Sequence, residues 1–284
     1  MSPAAPRVSV VIPTRARPAS LASCLERLAP GVQTLDAAQY EVVVTDDGET
    51  AVTRALLAGS FPWARYSAGP RRGPASNRNA GVRATSGEWV AFTDDDTLPD
   101  PDWLEQLLAG SDGVRVVEGR TVCRIGLRSP REHAPINEAG GRWWTSNLAM
   151  RRDAFDAIGG FDERFTVPHM EDADLRERAL AAQLPWRFVP RAVVDHPPRR
   201  ERWGADTAPW HRAHMLYAAI HQQPHSLAGN VRAVVRGRLH AIARAPFSVD
   251  GASAAASAAV EVGTMFVCWG RWRREVGMIM AEGR

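Results

Sequence analysis

The 284-residue chain contains no lysine: all 35 of its basic residues are arginine. Set against 32 acidic residues, this leaves a net charge of only +3. No RNA- or DNA-binding signature accompanies the arginines, so nucleic acid is not an expected partner. The three cysteines, Cys24, Cys123 and Cys268, are odd in number, widely spaced and without a C-x-x-C pair. They offer neither a disulfide framework nor a zinc site, and a reducing cytoplasm suits them. Long apolar runs are also lacking. The opening MSPAAPRVSVVIPTRARP has only a few apolar residues before Pro13, too few for a signal peptide. The nearest approach to the roughly 18 apolar residues of a membrane span is Ala254–Trp269, which Glu261 interrupts. What is present, 45% hydrophobic and 24% charged residues, is the composition of an ordinary globular chain.

Short β-branched runs alternate with helical patterns through the first two-thirds. VSVVI (8–12), EVVVTDD (41–47), WARYSA (63–68) and EWVAFT (88–93) read as strands. Between and after them, helices are expected over 21–29 with Ser20 as N-cap, near 50–58, over 75–85 and from Pro101 to Ala109. Nearly continuous apolar strands alternating with helices imply a mainly parallel sheet covered on both faces. Beyond residue 110 the alternation loosens. Strands are expected over 114–126, over 141–150 and, as a pair broken at Pro190, over 185–196. Helices are expected at 151–157 and 171–182. The Pro-Pro-Arg-Arg run at 197–200 marks a boundary between a domain of residues 1–200 and a helical extension of residues 201–284.

Ligands of open α/β sheets bind outside the carboxyl ends of the strands, and polar residues collect there in this sequence. Pro13-Thr14-Arg15 follows the first strand, Asp46-Asp47 the second, and Asp94-Asp95-Asp96 the fourth. Three consecutive carboxylates repel one another by roughly 3 kcal/mol per pair at ~5 Å and an effective dielectric near 20. A solvated turn capping the next helix would explain them blandly. After a strand buried on both faces, clustered hard oxygen ligands also suit Mg²⁺ or Mn²⁺ beside a substrate phosphate. Glu171 and Asp172 open a helix, where carboxylates complement the macrodipole. Asp174 and Arg178, four apart, can pair with each other and leave those two free to act, one of them as a general base. His196 ends another apolar strand and offers an imidazole ligand.

Taken in order, these pieces resemble an inverting family 2 glycosyltransferase of the GT-A fold. The resemblance is carried over residues 6–200 by VSVVIPTRARP, EVVVTDDGET, SNRNAGVRATSGEWVAFTDDDTLPDPDWLEQL, GRWWTSNLAMRRDAFDAIGGFDERF, EDADLRERA and VPRAVVDH. It implies an α/β fold with a mainly parallel sheet flanked by helices, followed by a helical C-terminal extension. It implies a nucleoside-diphosphate sugar donor (UDP, dTDP or GDP) and a glycan, lipid-linked or small-molecule acceptor. Asp96, helped by Asp94 and His196, would hold Mg²⁺ or Mn²⁺. Pro13, Thr14, Arg15, Asp46, Asp47, Arg78, Asn79, Asp94 and Asp95 would bind the nucleotide sugar. Asp172, with Glu171 beside it, would be the base. Trp144, Asn147 and His169 would face the donor sugar or acceptor, although Trp143 and Trp144 suit a core equally. Glu49 stands where such enzymes often have serine.

FTDDDTL also fits the D-x-D-x-T stretch of haloacid-dehalogenase-like phosphatases. That motif usually closes the first strand and works with a downstream lysine, whereas here it closes the fourth in a chain without lysine. A nucleotidyltransferase commonly shows a Gly-rich basic loop after strand one, and TRARPAS has no glycine. A third alternative, a nucleotide-sugar-binding module without catalysis, sits poorly with the presence of both Asp172 and His196. From Arg199 onward the chain has 12 Arg and 6 Asp or Glu. Its segment WGRWRREVGMIM (269–280) combines Trp and Arg, as at a peripheral membrane contact. Packing on the preceding domain, or on a second copy in a homodimer, is the plainer expectation.

Overall fold

The computed structural model describes residues 6–48, 50–129, 131–200, 207–244 and 248–282, so the expectation for Glu49 lies outside the described residues. In chain order the strands are β1 (Val8–Thr14), β2 (Tyr40–Asp46), β3 (Arg65–Ala68), β4 (Trp89–Phe92), β5 (Leu98–Pro99), β6 (Val116–Val122), β7 (Glu132–His133), β8 (Leu148–Arg151), β9 (Trp186–Asp195) and β10 (Arg199–Arg200). The helices are α1 (Pro18–Leu28), α2 (Thr50–Ser60), α3 (Pro74–Arg83), α4 (Trp103–Ala109), α5 (Arg152–Ala157), α6 (Glu171–Ala181), α7 (Ala208–Ile220), α8 (Leu227–Arg244) and α9 (Val249–Glu282). The chain divides into two compact units. The first comprises Met1–Arg124, Pro135–Thr166 and Glu171–Pro197; the second comprises Ile125–Ala134, Val167–Met170 and Pro198–Arg284.

The first unit is built on an eight-stranded sheet in the order β3-β2-β1-β4-β8-β6-β9-β5. Strands β3, β2, β1 and β4 run parallel, with Thr14 opposite Asp46 and Val11 opposite Phe92. This register gathers the carboxyl ends of β1, β2 and β4 at one edge. β8 is antiparallel to both of its neighbours, and β6 and β9 are again parallel. The strand pair expected around Pro190 is one strand, because a register shift opposite Gly119 and Arg120 absorbs the irregularity.

Helix α1 buries Leu21, Cys24, Leu25 and Leu28, a spacing that lays one stripe on the sheet. It starts three residues earlier than expected. Pro18 takes a first-turn position, where a missing N–H costs nothing, and Arg17, not Ser20, is the N-cap residue. The core beneath joins Val10, Ile12, Leu104 and Leu107 to these side chains, each contributing about 1.5–3 kcal/mol through burial. On the opposite side Phe92, Phe155 and Phe161 meet at ring-centroid distances of 5.2–5.7 Å. Helix α3 lies so close to the sheet that a Cβ on Gly81 would stand 2.4 Å from Val11 Cγ1.

The strand expected over 141–150 begins only at Leu148. The preceding loop is held by Glu118, which is 1% exposed. Its carboxylate accepts the backbone N–H groups of Gly141 (2.5 Å), Arg142 (2.9 Å) and Trp143 (2.5 Å) and the amide of Asn137 (2.7 Å). Gly140, Gly141 and Trp143 all have positive φ, a path that such a dense set of acceptor bonds compensates. Glu118→Ala would leave four donors without their carboxylate. We expect a loss of about 3 kcal/mol or more, seen as a Tm drop of about 10 °C in differential scanning fluorimetry.

In the second unit, β7 and β10 form a short antiparallel ladder and α9 packs on α7 and α8. Glu261, which interrupts the apolar run in sequence, lies within α9. At 34 residues, with a mean hydropathy of 1.3 over its best 18-residue window, this helix is long and apolar enough to cross a membrane by length and composition.

Candidate active site

The triple aspartate leaves β4 at the edge where β1 and β2 also end, and each carboxylate has its own partners. Asp95 is fully buried, accepts the Thr14 hydroxyl at 2.6 Å and faces Arg17 at 3.1 Å. Burial pushes its carboxyl up to about 7 despite the opposing pull of Arg17 and Thr14. Asp96 Oδ2 accepts from Arg17 Nη1 at 2.6 Å, while Oδ1 lies 3.4 Å from His196 Nε2. Asp94 Oδ1 accepts from Arg78 Nη2 at 2.8 Å. The repulsion anticipated from sequence is thus offset by two guanidinium groups, Arg17 from the turn after β1 and Arg78 from α3.

His196 reaches this cluster because β5 pairs with the end of β9, Leu98 opposite Asp195. The imidazole is 1% exposed, and its Nδ1 lies 3.0 Å from the Pro197 carbonyl oxygen. With that nitrogen donating to the carbonyl, Nε2 is left as the lone-pair face toward Asp96. One ligand atom each from Asp94, Asp96 and His196 falls within 4.8 Å of the others. Two carboxylates and an imidazole are a donor set that Mg²⁺ or, better, Mn²⁺ accepts, so the three residues fit a divalent ion.

Helix α3 buries Ser76, Asn77, Arg78 and Asn79, an unusual load of polar residues that must find partners inside. Arg78 finds two. Besides Asp94 it donates to Glu171 Oε1 at 3.0 Å, and its guanidinium sits 5.8 Å from the Phe161 ring centroid. Asn79 was expected to line the nucleotide side. Both ends of its amide instead bond the backbone of Phe161, and the nitrogen also reaches Glu163. Asn79 therefore ties α3 to the 161–163 turn.

Glu171 and Asp172 open α6, and the Asp174–Arg178 pair forms at 2.7 Å as the spacing predicts. Burial, then the charge of Asp172, pushes Glu171 up to about 7. Asp172 is also raised, with burial the main cause and the Ala173 N–H and Arg78 acting against it. Glu171 Oε2 is buried without a hydrogen-bond partner.

At the end of β2, Asp46 Oδ1 accepts the Gly48 N–H at 2.8 Å, while Oδ2 is buried without a hydrogen-bond partner. Asp47 accepts the N–H groups of Arg71 (2.5 Å) and Gly73 (2.8 Å), drawing the loop after β3 over itself. Asn77 donates to the Thr45 carbonyl oxygen and leaves its own Oδ1 unpaired beside Gly69. A Cβ on Gly69 would stand 2.4 Å from Asn77 Oδ1 and 2.7 Å from Asp47 Oδ1, so only glycine leaves this small polar cradle open. Pro13 and Thr14 are buried at the neighbouring strand end and Arg15 is exposed.

The remaining candidates separate. Trp144 is half-buried, with the Arg142 guanidinium 5.7 Å from its ring centroid, whereas Trp143 is buried edge-on against Trp186. Asn147 is buried. It accepts from Trp103 Nε1 and donates to the carbonyls of Arg120 and Ala192, which fixes it in the scaffold. His169 belongs to the helical unit, where its ring lies against Trp210 and His214 and burial pushes it down to about 3. Arg17, Gly69 and Asn77 are additions that the sequence did not single out. Only the basic turn TRARP and the pair N-R-N in α3 hinted at the first and last.

Comparison with known proteins places this geometry. The model of the family "Glycosyl transferase family 2" matches residues 9–159, more than half of the chain. Among characterised relatives, validoxylamine A glucosyltransferase of Streptomyces hygroscopicus subsp. jinggangensis is 30% identical over 255 residues, covering 74% of this chain and 57% of that one. The chain thus spans little more than half the length of that relative. The solved structure of S. aureus TarS 1-349 in complex with UDP-GlcNAc matches with a TM-score of 0.55 and 18% identity, over 73% of this chain and 65% of that one. Mannosyltransferase PcManGT from Pyrobaculum calidifontis, in complex with GDP-Man and Mn²⁺, matches with a TM-score of 0.57 and 19% identity, over 98% of this chain and 79% of that one. The phosphatase reading of FTDDDTL falls away. The fold is GT-A, and the chain belongs to glycosyl transferase family 2.

Proposed function

We propose that the protein transfers a sugar, with inversion at the anomeric carbon, from a nucleoside-diphosphate sugar to an acceptor hydroxyl. The observation that carries this reading is the convergence of Asp94, Asp96 and His196 beside an arginine that also touches the Glu171-Asp172 helix start. The nucleoside lies over the β1–β2 strand ends, with its base toward Asp47 and the Gly69–Asn77 cradle and Pro13, Thr14, Arg15 and Asp46 around it. Asp94, Asp96 and His196 would hold a divalent ion, which would supply charge stabilisation to the departing diphosphate. Arg17 fixes Asp95 and Asp96 in place. Asp172 accepts the proton of the acceptor hydroxyl, in line with the breaking glycosidic bond. Trp144 offers an aromatic face to the donor sugar or acceptor. The acceptor class, a glycan, a lipid-linked sugar or a small molecule, follows from the hydroxyl that Asp172 can reach.

The test is a thermal-shift screen of UDP, dTDP and GDP, free and as sugars, with Mg²⁺ or Mn²⁺. One nucleotide is expected to stabilise the protein only when metal is present; uniform indifference to all of them would sink the reading. Within that screen, Gly69→Ala crowds the cradle. Overpacking of this kind costs about 1–3 kcal/mol, so nucleotide affinity is expected to fall roughly ten- to a hundredfold in calorimetric titration.

A further inference from the structure

Helix α9 has two unlike sides. Its inward side packs on α7 and α8 and carries Glu261, 4% exposed, bonded at 2.8 Å to both His211 and Arg238. The charge that interrupts the apolar run in sequence is therefore turned inward and neutralised. Trp272 is buried on His211 and Trp269 stacks on His225, so both tryptophans of WGRWRR pack within the helical unit.

The outward side lies elsewhere on the helix. From Ala252 to Gly270 its exposed positions recur at intervals of one and three residues, and every one is Ala, Gly, Val or Phe. Val260, Phe266 and Val267 protrude from it at 52%, 63% and 83% exposure. The strip is about 27 Å long at 1.5 Å per residue. Exposed Arg271, Arg273 and Arg274 follow it at once.

We infer that this face docks on an anionic lipid bilayer, with α9 lying in the plane of the interface. The side chains that would enter the acyl boundary are the protruding Val and Phe, and the arginines that follow complement acidic headgroups. A transmembrane placement is ruled out for the inward side, which is committed to two helices and a buried ion-paired carboxylate. Parallel pairing with a second copy is disfavoured, because it would set three arginines against three arginines. The inference does not depend on the donor-site assignment, since every residue in it belongs to the helical unit.

The test is flotation of the full chain with phosphatidylcholine vesicles, with and without a quarter of phosphatidylglycerol. The wild type is expected to float with the anionic vesicles and to be released by 0.5 M salt. Phe266→Asp/Val267→Asp, at exposed positions that burden no core, is expected to lower the floated fraction at least tenfold while nucleotide-dependent thermal shift is retained. Arg271→Gln/Arg273→Gln/Arg274→Gln is expected to weaken partition into anionic vesicles about a hundredfold, near fivefold per arginine. Failure of the wild type to float, or flotation of the double aspartate variant at wild-type levels, overturns the inference. So does a wild-type dimer in light scattering that the double variant splits, which would assign the face to a second copy.

Discussion

Asp172→Asn is expected to lower the rate of sugar transfer about a thousandfold, within the range of 10²–10⁴ attributed to a positioned general base. Donor affinity should stay within roughly threefold, because asparagine preserves the side chain's shape and removes only its capacity to take a proton. Single-turnover transfer and calorimetric donor titration read the two effects separately. The same assignment fixes the direction of the pH profile. Burial raises Asp172 above the ordinary aspartate range, and only the ionised form can accept a proton. The acid limb of kcat/KM is therefore expected at a higher pH than for an exposed aspartate near 3.9, with activity falling as pH drops through it. Turnover of Asp172→Asn at the wild-type rate would move the base elsewhere, Glu171 being next in line.

Asp96→Asn carries the second large effect. Its oxygens divide between Arg17 and His196, so amidation would weaken the proposed metal site and also leave Arg17 one anion short. Metal-dependent nucleotide binding is expected to weaken at least a hundredfold, and transfer with it. Mn²⁺ titration followed by electron paramagnetic resonance gives a readout free of catalysis. The wild type should bind one Mn²⁺ in the presence of nucleotide, and Asp96→Asn should show none at the same concentration. Equal Mn²⁺ binding by both proteins would remove Asp96 from the ligand set. His196→Ala should weaken binding less, since the two carboxylates remain.

The first four strands, the parallel half of the sheet and the meeting of the strand-end acids were legible because each rests on a local signal. β-branched runs mark β1, β2 and β4, and the position of Asp46 and Asp94–Asp96 at their carboxyl ends follows from chain direction alone. The capping of α1 was misread, since Ser20 looks like an N-cap until Pro18 is allowed inside the first turn. The loop before β8 was read as a strand because GRWWTSNLAM is apolar and aromatic. Nothing local reveals that a carboxylate over twenty residues upstream, Glu118, claims its backbone N–H groups. Asn147 and Asn79 were drawn toward the ligand because buried amides and binding amides look alike in sequence. They differ only in where their partners lie, and Trp103 and Phe161 are supplied by the fold. Arg17 was overlooked for the same reason: its reach to Asp95 and Asp96 bridges about eighty positions.

The shared guanidinium of Arg78 also makes the two carboxylates it bridges thermodynamically dependent on each other. Removing Asp94 leaves more of that buried positive charge to Glu171, and removing Glu171 leaves more of it to Asp94. Their substitutions should therefore fail to add, with a coupling energy of about 0.5–3 kcal/mol in a double-mutant cycle. For anyone retuning such an enzyme, donor side and acceptor side are not separable modules. On the proposed assignment, a library that varies Asp94 to accept a new sugar would also reset the acid pair at the start of α6, and selection would have to optimise both together.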